Sequence, residues 1–164
     1  MAYKVFIDGQ EGTTGLRIVE RLKNRKDIEL ITIDEELRKD TAERKRLINE
    51  SDYTFLCLPD AAAIESAELC DNPHTKILDA STAHRTAPGW DYGLPELSAE
   101  HRAKIAASKR VAVPGCYASG FNALCYPMVK NGFIAPYHTV TCHAVSGYSG
   151  AGKKAIAVYE SENK

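Results

Sequence analysis

The chain has 164 residues, of which 44% are hydrophobic and 26% charged, a composition that predicts a soluble globular protein with one domain or one domain and part of another. A formal net charge of −1 gives no electrostatic basis for binding nucleic acid or an anionic membrane. No apolar run approaches the roughly 18 residues of a membrane helix, so we expect neither nucleic acid nor membrane as a partner.

Apolar runs alternate with helical patterns along the first 115 residues. Strands are predicted at residues 4–8, 28–33, 53–58, 76–80 and 110–113. A helix begins near Leu16, and three more begin after the capping residues Asp40, Asp60 and Ser98. This order predicts an α/β fold, a Rossmann-like doubly wound parallel sheet. The first residues already form a strand pattern, so no signal peptide is expected.

The pattern changes after Cys116. An apolar stripe at helical spacing predicts a helix that Pro127 should kink and Gly132 should terminate. Residues 137–145 resemble a strand, and residues 146–154 (SGYSGAGKK) form a glycine-rich basic loop. We interpret residues 1–115 as a dinucleotide-binding domain and residues 116–164 as the beginning of a second domain.

The segment GQEGTTG joins the first strand to the first helix. Its glycines, Gly9, Gly12 and Gly15, would let the backbone approach a pyrophosphate, and the helix N-terminus would supply free N–H groups. Thr13 and Thr14 add hydroxyl donors. The spacing is GxxGxxG rather than GxGxxG, so a glycine-rich turn without a ligand is the alternative.

The residues after the second strand bear on the choice of cofactor. Asp34 stands where an NAD-binding fold carries its ribose-binding acid. Arg38 and Lys39 follow closely, and a guanidinium can hold the 2′-phosphate of NADP. A solvated surface loop would also explain both basic residues, so these residues alone leave NAD and NADP open.

The chain has five cysteines, an odd number without a CxxC pair. This usage favours reduced thiols in a cytoplasm over a disulfide scaffold. We expect no metal site, because His138 and His143 would point to opposite faces of the strand predicted there. Cys116 follows a strand and Pro-Gly at a helix start, where a thiolate is stabilised, and it is the candidate nucleophile. A packing cysteine is the alternative.

Two polar segments could bind anions. STAHR follows the fourth strand at the edge of the sheet where ligands bind, and it carries Ser81, His84 and Arg85. Arg85 suits a carboxylate or phosphate. The loop SGYSGAGKK could form a second anion-binding nest. An exposed polar loop is the alternative for STAHR, and a flexible loop between elements is the alternative for SGYSGAGKK.

The motifs GTTGLRI, CLPD, DASTAHRT, YGLPEL and VPGCYASG occur in this order. Together they resemble N-acetyl-gamma-glutamyl-phosphate reductase in its shorter form, over essentially the whole chain. More distantly, the sequence is similar to aspartate-semialdehyde dehydrogenase and phosphorylating glyceraldehyde-phosphate dehydrogenase.

The resemblance implies that Cys116 attacks an acyl phosphate and forms a thioester as phosphate leaves. It also implies that NADPH reduces this thioester to N-acetylglutamate semialdehyde, a step of arginine biosynthesis. It also implies a homo-oligomeric full-length enzyme and a small-molecule acyl-phosphate substrate, bound by His84 and Arg85. Aspartyl phosphate or a carrier-linked acyl phosphate is the alternative substrate. The implied NADP contacts are Gly9, Gly12, Thr13, Thr14, Gly15, Arg38, Pro59, Ser81, Ser146 and Gly147.

The chain departs from the family in one respect. The resemblance implies a histidine acid/base in a downstream segment resembling HKHLPE, and these 164 residues contain no such segment. We therefore expect a chain truncated within an incomplete α+β catalytic and dimerisation domain. Such a fragment should bind NADP weakly and turn over slowly or not at all, so an inactive NADP-binding module is the alternative function.

Overall fold

The computed structural model describes residues 2–162, without the side chains of residues 149, 151, 153, 154 and 162. The strands are β1 (Tyr3–Asp8), β2 (Ile28–Ile31), β3 (Tyr53–Leu56), β4 (Lys76–Asp79), β5 (Asp91–Tyr92) and β6 (Arg110–Ala112). The helices are α1 (Thr13–Leu22), α2 (Thr41–Glu50), α3 (Asp60–Glu68), α4 (Ala99–Ala107), α5 (Cys116–Lys130) and α6 (Gly152–Glu162). Short 3-10 turns span Glu35–Leu37 and Tyr148–Ala151.

These six strands form one parallel sheet in the order β2-β1-β3-β4-β6-β5. The Rossmann-like α/β prediction is confirmed. β2 lies on one side of β1 and β3 on the other, so the order reverses between the carboxyl ends of β1 and β3. Open parallel sheets bind ligands at such a reversal.

The core lies between the sheet and helices α2 and α3. Phe6 of β1 packs with Leu47 and Ile48 of α2, and all three are buried. A second cluster joins the sheet to α3 and contains Leu56, Ala63, Ala67 and Ile77. Burying each large side chain contributes about 1.5–3 kcal/mol. This packing holds the carboxyl ends of the strands in fixed relative positions.

Two of the three predicted helix caps are confirmed. The Asp40 carboxylate accepts from the Glu43 amide at 2.7 Å, and the Ser98 hydroxyl accepts from the His101 amide at 3.2 Å. The prediction for Asp60 is wrong. Pro59 is the N-cap of α3 and Asp60 its first residue. The Asp60 carboxylate accepts instead from the backbone N–H and hydroxyl of Thr82.

Four strands are shorter than predicted, β2 and β3 by two residues and β4 and β6 by one. β2 ends at Ile31, and β3 ends at Leu56. The Cys57 amide still donates to the Asp8 carbonyl at 2.8 Å, but Pro59 has no N–H with which to continue the ladder. The predicted loop at 81–97 contains the two-residue edge strand β5.

The strand predicted at residues 137–145 is wrong. These residues are exposed and irregular, and none of the strands within residues 2–162 pairs with them. An alternating apolar pattern makes a strand only where a partner ladder exists. Residues 146–154 include the 3-10 turn and the beginning of α6. Across the described chain, no helix combines the length and apolarity needed to cross a bilayer.

Candidate functional site

The glycine turn after β1 is packed too tightly for side chains. Gly9 has φ +87, and a Cβ there would lie 2.4 Å from the Cys57 carbonyl oxygen. A Cβ on Gly15 would lie 2.4 Å from the Gly9 carbonyl oxygen. The turn is closed by a bond from the Gly12 amide to the Gly9 carbonyl at 3.0 Å. These contacts bring α1 directly onto the end of β1.

The N-terminus of α1 lacks a side-chain cap. Gly12 is the N-cap residue, and Thr13 and Thr14 are the first two residues of the helix. Helix N-termini leave backbone N–H groups without intrahelical partners. These amides and the positive end of the helix dipole favour an anion.

A cavity of about 270 Å³ joins this turn to the segment after β2. Asp8, Gly9 and Gln10 line it from the turn, and Glu35, Arg38 and Lys39 line it from the other side. Asp34 is not among the lining residues and is the N-cap of the 3-10 turn at 35–37. Arg38 is exposed, 3.7 Å from Glu35. Both basic residues therefore face the same space as the glycine turn.

Cys116 is the first residue of α5 and is exposed. No side chain caps this helix, whose N-cap is Gly115. Cys116 lines a second cavity, of about 430 Å³, which also contacts Phe121, Leu124, Cys142 and His143. The thiol is thus accessible at a helix N-terminus, where a thiolate is favoured. Its wall is largely apolar, which suits an acyl chain.

Ser146 contacts the residue that follows Cys116 in the chain. Its hydroxyl is hydrogen-bonded to the hydroxyl of Tyr117, the residue after Cys116. Gly147 follows as the N-cap of the second 3-10 turn. The side chains of Lys153 and Lys154, part of the predicted anion-binding nest, lie outside what the structure describes.

The STAHR loop is held by buried Asp79 at the end of β4. Asp79 accepts from the Ser81 amide at 2.9 Å and from the Ser81 hydroxyl at 2.7 Å. Nδ1 of His84 lies 2.6 Å from Oδ2 of Asp79. The His84 ring also stacks on Trp90, with centroids 3.9 Å apart. Ser81 and His84 are therefore buried, and their polar atoms hold the loop.

Arg85 connects this loop to the Cys116 helix. Its Nε donates to the Val113 carbonyl at 3.1 Å and its Nη2 to the Ala80 carbonyl at 3.4 Å. A Cβ on Gly115 would lie 2.9 Å from Nη1 of Arg85. Because Gly115 precedes Cys116, the guanidinium stands beside the start of α5. Pro59 is exposed at the end of β3, next to the Asp60–Thr82 contact that also holds this loop.

Two of the other thiols, those of Cys57 and Cys70, are partly buried. Burial, with the nearby carboxylates of Asp79 and Asp8, raises the pKa of Cys57 to about 11. Burial also raises the pKa of Cys70. Both thiols are thus protonated near neutral pH. No group of three His, Cys, Asp or Glu side chains in the described part of the chain could hold a metal ion.

Sequence reasoning missed four residues that shape this site: Asp60, Asp79, Trp90 and Gly115. Asp79 carries a usable signal, since an acid that ends a buried strand needs hydrogen-bond partners nearby. Gly115 carries another, since a glycine just before a candidate nucleophile can mark a close approach. Trp90 and Asp60 reach their partners through the fold, so no local pattern identifies them.

Two family models match the chain. "Semialdehyde dehydrogenase, NAD binding domain" matches residues 31–105, and "Semialdehyde dehydrogenase, dimerisation domain" matches residues 116–163. Among curated proteins, N-acetyl-gamma-glutamyl-phosphate reductase 2 of Pseudomonas putida is 50% identical over 95% of this chain and 50% of its own length. The Nostoc protein of the same name is 51% identical, over 96% and 49%. The chain thus spans about half the length of the curated relatives it matches.

Solved structures show the same fold at low identity. Aspartate semialdehyde dehydrogenase from Francisella tularensis superposes with a TM-score of 0.67 at 16% identity, covering 96% of this chain and 48% of that one. The Candida albicans enzyme, determined with NADP, gives a TM-score of 0.58 at 15% identity, over 80% and 48%. At such identities the likeness establishes the fold alone.

Proposed function

We propose a function for this chain from the premise that it belongs to the semialdehyde dehydrogenase family. It carries the nucleotide cleft and the nucleophile of an N-acetyl-gamma-glutamyl-phosphate reductase. The reaction converts N-acetyl-gamma-glutamyl phosphate to N-acetylglutamate semialdehyde and phosphate. The observation that carries this proposal is the accessible Cys116 thiol at the N-terminus of a helix whose N-cap, Gly115, lies against the Arg85 guanidinium.

NADP fits the cleft at the end of β1. A Cβ on Gly9 or Gly15 would overlap backbone atoms, so the turn keeps its amides close to the space where a pyrophosphate would lie. Gly12, Thr13 and Thr14 supply the first-turn amides and hydroxyls. Arg38 supports NADP rather than NAD, because it lines the same cavity as Gly9 and Asp34 does not. When bound, the nicotinamide supplies a hydride.

Cys116 is the proposed catalytic nucleophile. Its thiolate attacks the acyl carbon and forms a carbon–sulfur bond. The electron pair of the broken carbon–oxygen bond leaves with phosphate, and a thioester remains on Cys116. The amides at the start of α5 stabilise the thiolate before attack. The largely apolar wall of the cavity beside the thiol would contact the acyl chain of the substrate. Ser146 and Gly147, close to Tyr117, are proposed to border the nicotinamide end of the cleft.

Arg85 is the proposed substrate-binding residue. A guanidinium binds phosphate or carboxylate through paired donors, and Nη1 of Arg85 stands beside Gly115. The buried position of His84 favours support of the loop over direct contact with substrate. Ser81 and Pro59 lie at the same edge of the sheet, where they are proposed to border the cofactor.

We also propose a cellular location, an oligomeric state and a domain division for this protein. Five free cysteines suit a reducing cytoplasm. The match of residues 116–163 to a dimerisation domain supports a homo-oligomer. We propose two domains, residues 1–115 for the dinucleotide and residues 116–164 as the beginning of the catalytic and dimerisation domain.

The reverse reaction tests the proposed function. The chain is mixed with N-acetylglutamate semialdehyde, NADP and phosphate, and NADPH absorbance is followed. We expect slow, phosphate-dependent NADPH formation that Cys116→Ser abolishes and Cys125→Ser, on the same helix and cavity, retains. Formation that survives Cys116→Ser would overturn the assignment of the nucleophile. A faster rate with aspartate semialdehyde would overturn the assignment of the substrate.

A further inference from the structure

His84 contacts two groups whose positions the sheet fixes. Its Nδ1 lies 2.6 Å from Asp79, which ends β4 and is fully buried. A carboxylate partner sets the tautomer with the proton on Nδ1. Trp90 constrains the orientation of the imidazole as well, because its ring is stacked on it at an interplanar angle of 14°. The ring is therefore fixed in both position and orientation.

The same carboxylate also holds the backbone that precedes His84. Asp79 accepts from the amide and hydroxyl of Ser81. The Ser81 hydroxyl in turn accepts from the Ala83 amide at 3.1 Å. One buried acid thus sets the path of residues 81–84, and Arg85 is the next residue along the chain.

Arg85 spans the gap between this loop and the Cys116 helix. It reaches the Val113 carbonyl, and its Nη1 comes so close to Gly115 that a Cβ there would lie 2.9 Å away. The guanidinium is held by its bonds to the Val113 and Ala80 carbonyls, and a fixed backbone at residue 85 lowers the entropy cost of keeping both. The ring of His84, one residue earlier, helps to fix that backbone.

We propose that Asp79 and His84 are positioning residues for Arg85, and that Trp90 supports them by stacking on His84. Neither acid nor imidazole touches the substrate. They act by fixing the guanidinium beside Gly115, at the start of the Cys116 helix, where it attracts an anionic group toward Cys116. This inference rests on the proposed role of Cys116 as the reacting thiol, and it adds how the anion site at that thiol is built.

The test compares two alkylating reagents on the full 164-residue chain. Iodoacetate is an anion and iodoacetamide is neutral, and the same thiolate attacks the CH₂ carbon of each and displaces iodide. The ratio of their rates at Cys116, followed by peptide mass spectrometry, therefore cancels the thiolate fraction and the exposure of the sulfur. What remains in the ratio is the local positive charge. This readout needs neither substrate nor turnover, so it is independent of whether the proposed reaction occurs.

Arg85→Gln should lower the iodoacetate-to-iodoacetamide ratio by up to about fivefold, the effect that one opposite charge would have at about 4 Å in water. His84→Phe keeps the stack on Trp90 but loses the bond to Asp79, and it should lower the ratio to a similar extent. His84→Asn can still donate to Asp79 and should restore much of the ratio. The drop should disappear at about 1 M salt, because the charge is then screened.

His101→Phe is the matched control. His101 also pairs with a serine hydroxyl, Ser98, and with an aromatic ring, Tyr126, but it touches neither the STAHR loop nor Arg85. Its ratio should equal that of the unaltered chain. Unfolding midpoints of every variant are measured in parallel, and Asp79→Asn provides a second way to break the pair if His84→Phe does not fold.

Two results would overturn the proposal. If folded His84→Phe or Asp79→Asn is destabilised but keeps the full ratio while Arg85→Gln loses it, the pair is structural only. If Arg85→Gln keeps the full ratio, the guanidinium does not act at the thiol and has nothing to be positioned for. Failure of the proposed function would instead leave the ratio intact and remove only NADPH formation.

Discussion

Replacing Gly9 by alanine is the most direct mechanical test of the glycine turn. Gly9 has φ +87, where an L side chain costs about 1–2 kcal/mol. The added Cβ would also lie 2.4 Å from the Cys57 carbonyl oxygen and 2.9 Å from its carbonyl carbon. These are backbone atoms of a residue that bonds to Asp8, so they cannot move aside cheaply. Overpacking of this kind costs about 1–3 kcal/mol.

The expected loss for Gly9→Ala is therefore about 2–5 kcal/mol, the sum of the two terms. The free energy of unfolding is measured by urea titration, with tryptophan fluorescence from Trp90 as the signal. The whole free energy of unfolding of a small domain is about 5–15 kcal/mol, so the variant should unfold at a much lower urea concentration. NADPH binding should weaken as well, because the turn can no longer keep its shape.

Gly89→Ala is the matched control for the clash. Gly89 has φ +80, nearly the same conformation, but a Cβ there would meet nothing within 4 Å. It should lose only the conformational part, about 1–2 kcal/mol. The difference between the two variants isolates the contact with Cys57. Equal destabilisation of both variants would refute the close packing of the turn against β3.

Three other predictions concern charge and protonation. Burial raises the pKa of Cys57 to about 11, so at pH 8 about one Cys57 thiol in a thousand is ionised. Iodoacetamide should therefore label Cys57 far more slowly than Cys116. Equal labelling of the two would contradict the burial of Cys57. Arg38→Gln should weaken NADPH binding about tenfold or more and leave NADH binding unchanged, as measured by fluorescence titration, whereas equal weakening of both would exclude a 2′-phosphate contact. Hydrogen bonds from Thr82 lower the pKa of Asp60, so this contact stabilises the fold above the ordinary carboxyl pKa and is lost as pH falls through the lowered value. Urea midpoints of Asp60→Asn should therefore fall less between about pH 6 and pH 3 than those of the unaltered chain, and parallel curves would contradict the contact.

Local signals in the sequence predicted much of the sheet and several helix ends. Asp40 and Ser98 cap their helices because a cap needs only an amide three residues away. Gly132 has φ +75 just beyond α5, as its position after an apolar stripe predicted. Features of this kind depend on residues that are close together along the chain, so the amino-acid sequence alone reveals them.

The remaining features depend on distant partners. Asp60 resembled a cap, but its carboxylate binds Thr82, which is 22 residues away. His84 looked like a ligand-binding side chain, yet Asp79 and Trp90 enclose it. Residues 137–145 alternate like a strand but have no partner among the described strands. In each case the competing interaction is created by the fold and leaves no mark at the residue itself.

The central claim is that Cys116 accepts the acyl group. N-acetyl-gamma-glutamyl phosphate, generated in the assay from N-acetylglutamate, ATP and a kinase, is mixed with the chain without nicotinamide cofactor, and the acid-quenched chain is analysed by peptide mass spectrometry. We expect a hydroxylamine-labile acyl adduct on the peptide that contains Cys116, absent from Cys116→Ser and present in Cys125→Ser. An adduct on Cys125 or Cys142 of equal yield, or no adduct on a folded chain, would contradict it.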